Sequence, residues 1–228
     1  MSRNLFRRVA ACSASLLLLA AISVNAHAAT ILLDFEGLAN GEAINDFYNG
    51  GLGSLGSGPG VNHGVTFSTN ALVSIDSDAG GSGNFGGEPS PDTAMFFLTG
   101  VSAIMNVPAG FDTGFSFFYS AIRDPGSVDV FDGIDGTGAL LATLTLPTTP
   151  NNGAPDPTGT FSPFVPIGVA FAGTARSVSF AGVQNQIGFD NVTFGSANPG
   201  GQVPEPTSMA MFACAGIGLI FGRRRNKR

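Results

Sequence analysis

The stretch SVDVFDGIDGTGALLATLTL, residues 127–146, reads as two strands joined by a turn. In SVDVF, Val128 and Val130 point one way while Asp129 and Phe131 point the other. In LLATLTL, Leu140, Ala142, Leu144 and Leu146 share one face, and Leu141, Thr143 and Thr145 share the opposite one. Successive side chains of a strand leave on opposite sides. A period of two with one wet face is therefore the mark of an antiparallel sheet. Between the two runs, Asp132-Gly133-Ile134-Asp135-Gly136 carries two Asp-Gly pairs, which favour left-handed turn geometry and predict a hairpin.

The same pattern extends in both directions. Helix-period stretches are absent between Ala29 and Gly195. Short runs rich in Val, Ile, Phe and Thr appear instead, punctuated by Gly, Pro, Asn and Asp. They predict strands at 30–35, 64–68, 71–75, 94–98, 102–107, 114–120, 127–131, 140–146, 165–171, 177–180 and 188–194. Many short strands joined by turns predict an all-β domain at 29–195, an antiparallel two-sheet sandwich of the jelly-roll kind. The chain has 20 Phe and no Trp, so phenylalanine must supply much of the large core volume. Phe115, Phe117, Phe118 and Phe180 are the expected core. Three loops stand out: 50–60 (GGLGSLGSGPG), 80–87 (GGSGNFGG) and 151–157. Long loops carry ligands more often than sheets do, and glycine-rich ones are also simply permissive.

Charge is segregated. Of ten Lys and Arg, three lie before residue 9 and five after residue 222. The body keeps only Arg123 and Arg176 against fifteen carboxylates, a net −13. That argues against nucleic-acid binding, which needs basic side chains on phosphates. It leaves room for calcium or a cationic partner, with solubility as the plainer reason for most of the charge. Both cysteines, Cys12 and Cys214, lie in the end segments, so the body has neither a disulfide framework nor a thiolate metal site.

The first 28 residues have the three parts of an export signal. Arg3, Arg7 and Arg8 precede an apolar run centred on residues 16–19, and Ala26-His27-Ala28 offers small residues to signal peptidase. Val9-Ala10-Ala11-Cys12 precedes the leucine run, whereas a lipoprotein box follows one.

Nothing marks a catalytic centre. His63 is the only histidine after Ala28, and no nucleophile elbow or metal-binding histidine pair is present. Asp76-Ser77-Asp78-Ala79-Gly80 starts like a calcium loop but has Gly87 where the twelfth-position Glu belongs. A better oxygen constellation joins the domain's ends, Asp34-Phe35-Glu36-Gly37 and Phe189-Asp190-Asn191-Val192-Thr193-Phe194. In the second, Ile187 and Phe189 take one parity, while Val192 and Phe194 take the other. A bulge at Asp190 and Asn191 is expected there. DFEG and FDNVTF resemble the first and last strands of jelly-roll carbohydrate-binding-module-like domains. That resemblance implies a structural calcium held by Glu36 and Asp190, with backbone carbonyls completing the shell. It also suggests a glycan site. With no Trp in the body, the candidates are Tyr48, expected at the surface beside the first long loop, and Asn84 with Phe85 in the second.

The tail reads Val203-Pro204-Glu205-Pro206, then uncharged residues, then Arg223, Arg224, Arg225, Lys227 and Arg228. The 17 uncharged residues from 206 to 222 would make a helix about 25 Å long, short for a hydrocarbon core of about 30 Å. The basic end stays cytoplasmic and the body faces outward. This order of parts resembles the PEP-CTERM sorting signal, and GNFGGEPSPDTAMFFL and GFSFFYS look like that family's β domains. The resemblance implies a Gram-negative host that makes exopolysaccharide. It also implies an exosortase that acts at Pro-Glu-Pro while the helix holds the chain in the inner membrane. Residues 196–202 are the expected flexible spacer and 203–228 the signal; an ordinary single-pass anchor is the alternative. The functional expectation is a non-enzymatic surface or matrix protein associated with exopolysaccharide and biofilm. A calcium-stabilised carbohydrate-binding module is the alternative, followed by a secreted hydrolase.

Overall fold

The computed structural model describes residues 30–149 and 159–200. The export signal, the 151–157 loop and the sorting tail with its helix lie outside them. Eleven strands follow one another: β1 (Ile31–Leu33), β2 (Thr66–Phe67), β3 (Ala71–Ile75), β4 (Thr93–Phe97), β5 (Ser102–Phe111), β6 (Gly114–Ser120), β7 (Gly126–Phe131), β8 (Leu140–Leu146), β9 (Val165–Ala170), β10 (Ala175–Ala181) and β11 (Gly188–Phe194). A single 3-10 turn, Phe47–Asn49, is the one helical element among the described residues. None of their helices is long and apolar enough to cross a membrane.

All pairings between these strands are antiparallel, and they build two sheets. One has the order β3-β4-β11-β6-β9 with β1 also on β11; the other runs β2-β5-β10-β7-β8. The core lies between them, where each strand sends its alternate apolar residues. Phe115, Phe117, Phe180 and Phe189 are fully buried at its centre and meet edge to face, with Phe180 and Phe189 ring centroids 5.0 Å apart. Such pairs add to what area burial alone contributes.

The hairpin at 127–146 forms as its alternation predicts, with Asp135 and Gly136 both at positive φ. Asp132 Oδ1 closes the turn by accepting from Ala139 N at 2.7 Å. A register shift between Val130 and Phe131 then breaks the expected parity of β8. Leu144 and Leu146 are buried, but Leu140 is 56% exposed, and Leu141 packs against the core in its place.

Two other expectations need correction. Phe118 faces the outside of the six-stranded sheet, because its neighbours Phe117 and Tyr119 take the core side. It packs there with Phe85, Ala94, Phe161 and Phe164 under a cover made by residues 83–90 and 159–164. The spacer also begins later than expected. Residues 196–200 lie on the sheet: Ser116 Oγ donates to Ser196 O at 2.9 Å, Gly200 N donates to Thr193 Oγ1 at 3.3 Å, and a Cβ at Gly168 would collide with Ala197 O.

Candidate functional site

The predicted bulge in β11 is present. The register against β6 shifts between Asp190 and Thr193, and Asn191 sits at φ +48°. Before it, Phe189 points into the core; after it, Val192 and Phe194 do. Asp190, next to the inward Phe189, lies on the outer face of the sheet, where it is completely buried with Ser90 of the 83–90 cover upon it. Ser90 Oγ donates within 2.7 Å of both carboxylate oxygens, Ser90 N donates to Oδ2 at 3.1 Å, and Asn191 N donates to Oδ1 at 2.6 Å. Burial pushes the Asp190 carboxyl up to about 7, the Glu36 charge adds to the push, and the hydrogen bonds from Ser90 and Asn191 oppose it.

Glu36 is brought to the same end of the domain and clasps the start of β4. Its Oε1 accepts from Asp92 N and Thr93 N at 3.0 Å each, and its Oε2 accepts from Thr93 Oγ1 at 3.1 Å. Ser90 Oγ also lies 3.2 Å from Asp34 O. The donor set suits a hard cation: two carboxylates and a carbonyl, with no lysine in the body and both arginines exposed. Against it, no group of three or more His, Cys, Asp or Glu side chains with metal-holding geometry gathers among the described residues. Calcium takes six to eight oxygens, so backbone carbonyls would have to supply most of the shell.

Tyr48 is not at the surface. It is 4% exposed, because the 3-10 turn that carries it is folded over the end of the core. Its hydroxyl accepts from Phe35 N at 2.6 Å, and His63 stacks on its ring. Burial, with Asp34 nearby, raises the phenol well above its ordinary range. It therefore cannot present a flat face to a sugar.

Asn84 and Phe85 do meet in a concave site. A cleft of about 410 Å³ opens on the outer face of the six-stranded sheet. Ser74 of β3, Phe96 of β4 and Gly188 of β11 form its floor, and Asn84, Phe85 and Phe161 form one wall. Asn84 ties the two cover segments together, accepting from Thr160 N through Oδ1 and from Phe161 N through its carbonyl. At the other end, Ser74 Oγ and Ser82 Oγ hydrogen-bond to Asn40. The lining is uncharged, aromatic on one side and hydroxyl- and amide-bearing on the other.

Sequence reasoning missed Phe96, Phe161 and Glu42. Phe96 lies in the strand expected at 94–98 with nothing local to mark it for a cleft, and Phe161 stands alone between Thr160 and Ser162. Glu42 is fully buried, accepting from Ala39 N and Leu55 N at 2.7 Å and from Ser57 N at 3.1 Å. Burial pushes its carboxyl up, but the hydrogen bonds from Ser57, Ala39 and Leu55 outweigh that and hold it below its usual value. The close approach of Gly53, where a Cβ would strike Glu42 Oε1, was the available signal in the glycine-rich loop.

Residues 202–225 match the PEP-CTERM protein-sorting motif. The motif marks an exported protein, sorted through the membrane and processed by an exosortase. No curated protein matches the chain. Among solved structures, the chain is similar to a family 43 arabinoxylan arabinofuranohydrolase of Bacillus subtilis. The two are 18% identical with a TM-score of 0.37; the match covers 57% of this chain and spans only 25% of that enzyme. It is similar to a family 35 carbohydrate-binding module of Paenibacillus barcinonensis, at 13% identity and TM-score 0.32, over 58% of this chain and 92% of the module. It is also similar to the K1 cleaved adhesin domain of Lys-gingipain from Porphyromonas gingivalis W83, at 16% identity and TM-score 0.37, over 73% of this chain and 98% of the domain.

Asp190 sets a pH dependence whose sign is fixed. The folded protein takes up this proton as pH falls through about 7, whereas the unfolded chain does so only near 3.8. Protonation therefore favours the fold, and its contribution is lost as pH rises through about 7. With a chelator present, lowering pH from 8 to 5.5 is expected to stabilise the domain by about 2 kcal/mol. Glu42 does not offset this, since its hydrogen bonds hold its carboxyl below the usual value and it stays ionised across that range. Urea denaturation at the two pH values reads the difference directly.

Proposed function

We propose that the chain is a non-catalytic surface or matrix protein whose folded body binds saccharide in the cleft lined by Asn84, Phe85, Phe96 and Phe161. The observation that carries this reading is the uncharged lining with an aromatic wall and a polar end. A pyranose has the same two characters, an apolar C–H face and a rim of hydroxyls. The acidic body argues for a neutral rather than an anionic polymer. Exosortase processing delivers the body to the cell surface or to the exopolysaccharide around a Gram-negative cell, the setting in which a biofilm component works.

Calcium belongs to the same reading as a structural ion. Glu36, Asp190 and neighbouring carbonyls would hold it. Its charge would offset two carboxylates that now lie close together without a basic partner among the described residues. Adding calcium at pH 8 is expected to raise the melting temperature by several degrees, and chelation to reverse the rise. A melting curve indifferent to both removes the ion.

Substituting Pro204, Glu205 and Pro206 by alanine is expected to leave an unprocessed, membrane-held chain in the native host. Equal release of variant and wild type, read by mass spectrometry of the C-terminus, would speak for a plain anchor. In affinity electrophoresis through the host's own neutral polysaccharide, Asn84→Ala and Phe96→Ala are each expected to weaken retardation about tenfold, a loss of about 1.4 kcal/mol. Retardation equal to wild type, with the melting temperature preserved, would refute the cleft as the binding site.

A further inference from the structure

Two amide side chains line the cleft on the six-stranded sheet, Asn84 and Asn185. They differ in what the fold leaves open to a ligand. Asn84 Oδ1 already accepts from Thr160 N, which ties it to the cover. Beside Asn185, the Gln184 amide is also engaged, donating to Gly100 O. The Asn185 side chain makes no hydrogen bond among the described residues, so a ligand meets its full set of donors and acceptor.

The backbone that carries this amide is fixed. Gln186 N donates to Val183 O and closes a turn between β10 and β11, in which Asn185 takes φ +58°. Asn185 N donates to Phe97 O at 2.9 Å. Glycine suits a position of positive φ best. Asn tolerates the same backbone and adds an amide, here on a tethered turn.

The bond to Phe97 sets Asn185 beside Leu98, the next residue along the chain. Leu98 also lines the cleft, and it is 46% exposed. Phe96 is the aromatic partner for a pyranose ring, whereas a branched aliphatic side chain has no flat face to add. This end of the cleft thus joins an unengaged amide to an uncovered aliphatic group, and no Asp, Glu, Lys or Arg belongs to the lining.

We propose that the cleft selects an acetylated saccharide, with Asn185 and Leu98 as the residues that read the acetyl group. This rests on the cleft as the saccharide site. An acetyl group has the two matching parts. Its carbonyl accepts from Asn185 Nδ2, and its methyl covers Leu98. Asn185 Oδ1 is left to accept from a neighbouring ring hydroxyl. Other substituents match less. A free amine asks for a carboxylate and a uronate asks for a cation, and the lining has neither. A plain hydroxyl leaves Leu98 uncovered, and a deoxy sugar's methyl brings no carbonyl to Asn185.

The acetyl group can sit on nitrogen or on oxygen, and three probes separate the cases. Cellotetraose is the unsubstituted reference, chitotetraose adds 2-acetamido groups to the same backbone and linkage, and O-acetylated cellotetraose carries the ester. The unit Ala28–Val203 is compact and closes its own core, so it serves for the titrations. Calorimetry is expected to show one acetylated tetramer bound about tenfold more tightly than cellotetraose, and which one names the linkage. Asn185→Gly keeps the turn at positive φ and is expected to bring that ratio below about threefold. Leu98→Ala, at an exposed site, is expected to lower it as well. The ratio compares two sugars on one folded protein, so a general loss of stability does not move it. Binding of all three tetramers with equal affinity overturns the proposal, as does binding of none, or a preference that survives both variants. These results leave the cleft itself to be judged by the retardation of Asn84→Ala and Phe96→Ala on the host polysaccharide.

Discussion

The phase change in β11 is the constraint on which the rest of the domain depends. A strand that kept strict alternation from Ile187 onward would send Val192 and Phe194 outward and strip the core of two buried residues. The extra residue at the bulge corrects this. It also lets β11 exchange partners on one side, meeting β4 through Phe189 and then β1 through Val192, Thr193 and Phe194. Just before the step, Asp190 follows the inward Phe189 onto the outer face, and Ser90 of the cover is tied down over it. Sheet continuity and the burial of Val192 and Phe194 thus trace to a single irregularity.

An acidic body without cysteines needs another way to hold long loops, and it uses carboxylates. Glu42 gathers the N–H groups of Ala39, Leu55 and Ser57, which fixes the glycine-rich loop. Glu36 gathers those of Asp92 and Thr93, and Asp190 those of Ser90 and Asn191. A hydrogen bond to a charged group contributes about 1.5–3 kcal/mol, comparable in scale with a disulfide's typical 2–4. The three differ in what burial takes back. Glu42 has enough donors to stay ionised readily, whereas Asp190 does not, because the Glu36 charge and its own desolvation outweigh its donors. Part of the body's excess of Asp and Glu is therefore structural, and the remainder keeps the molecule soluble.

Local chemistry was legible in the sequence, and long-range packing was not. Alternation marked the strands of the 127–146 hairpin, its Asp-Gly pairs marked the turn, and the parity break at Asp190 marked the bulge. Each of these signals lies within a few residues. Tyr48 failed because its burial depends on Phe35 and His63, and nothing near DFYNGG announces that the turn folds inward. Phe118 failed because the run Phe117-Phe118-Tyr119 in β6 offers two faces, and only the cover at 83–90 and 159–164 shows that both are used. Leu140 failed for a different reason: the register shift at Phe131 moves it out of phase. The cleft was half visible, through Asn84 and Phe85, since its floor comes from strands distant in sequence.

The path of the chain out of the sandwich bears on how sorting can work. After β11, residues 195–200 stay bound, with Gly195 N on Gly114 O and Thr113 Oγ1 on Gly195 O. The sorting motif starts at residue 202. Only three residues, Gly201, Gln202 and Val203, separate Gly200 from Pro204 in the sequence. A processing enzyme would either work close against the folded body or draw residues 196–200 off β6 and β9. The second way breaks a few part-buried hydrogen bonds and uncovers Ser116 and Thr193, but it disturbs no core side chain, since the contacts of Ser196 and Gly200 lie on the outer face.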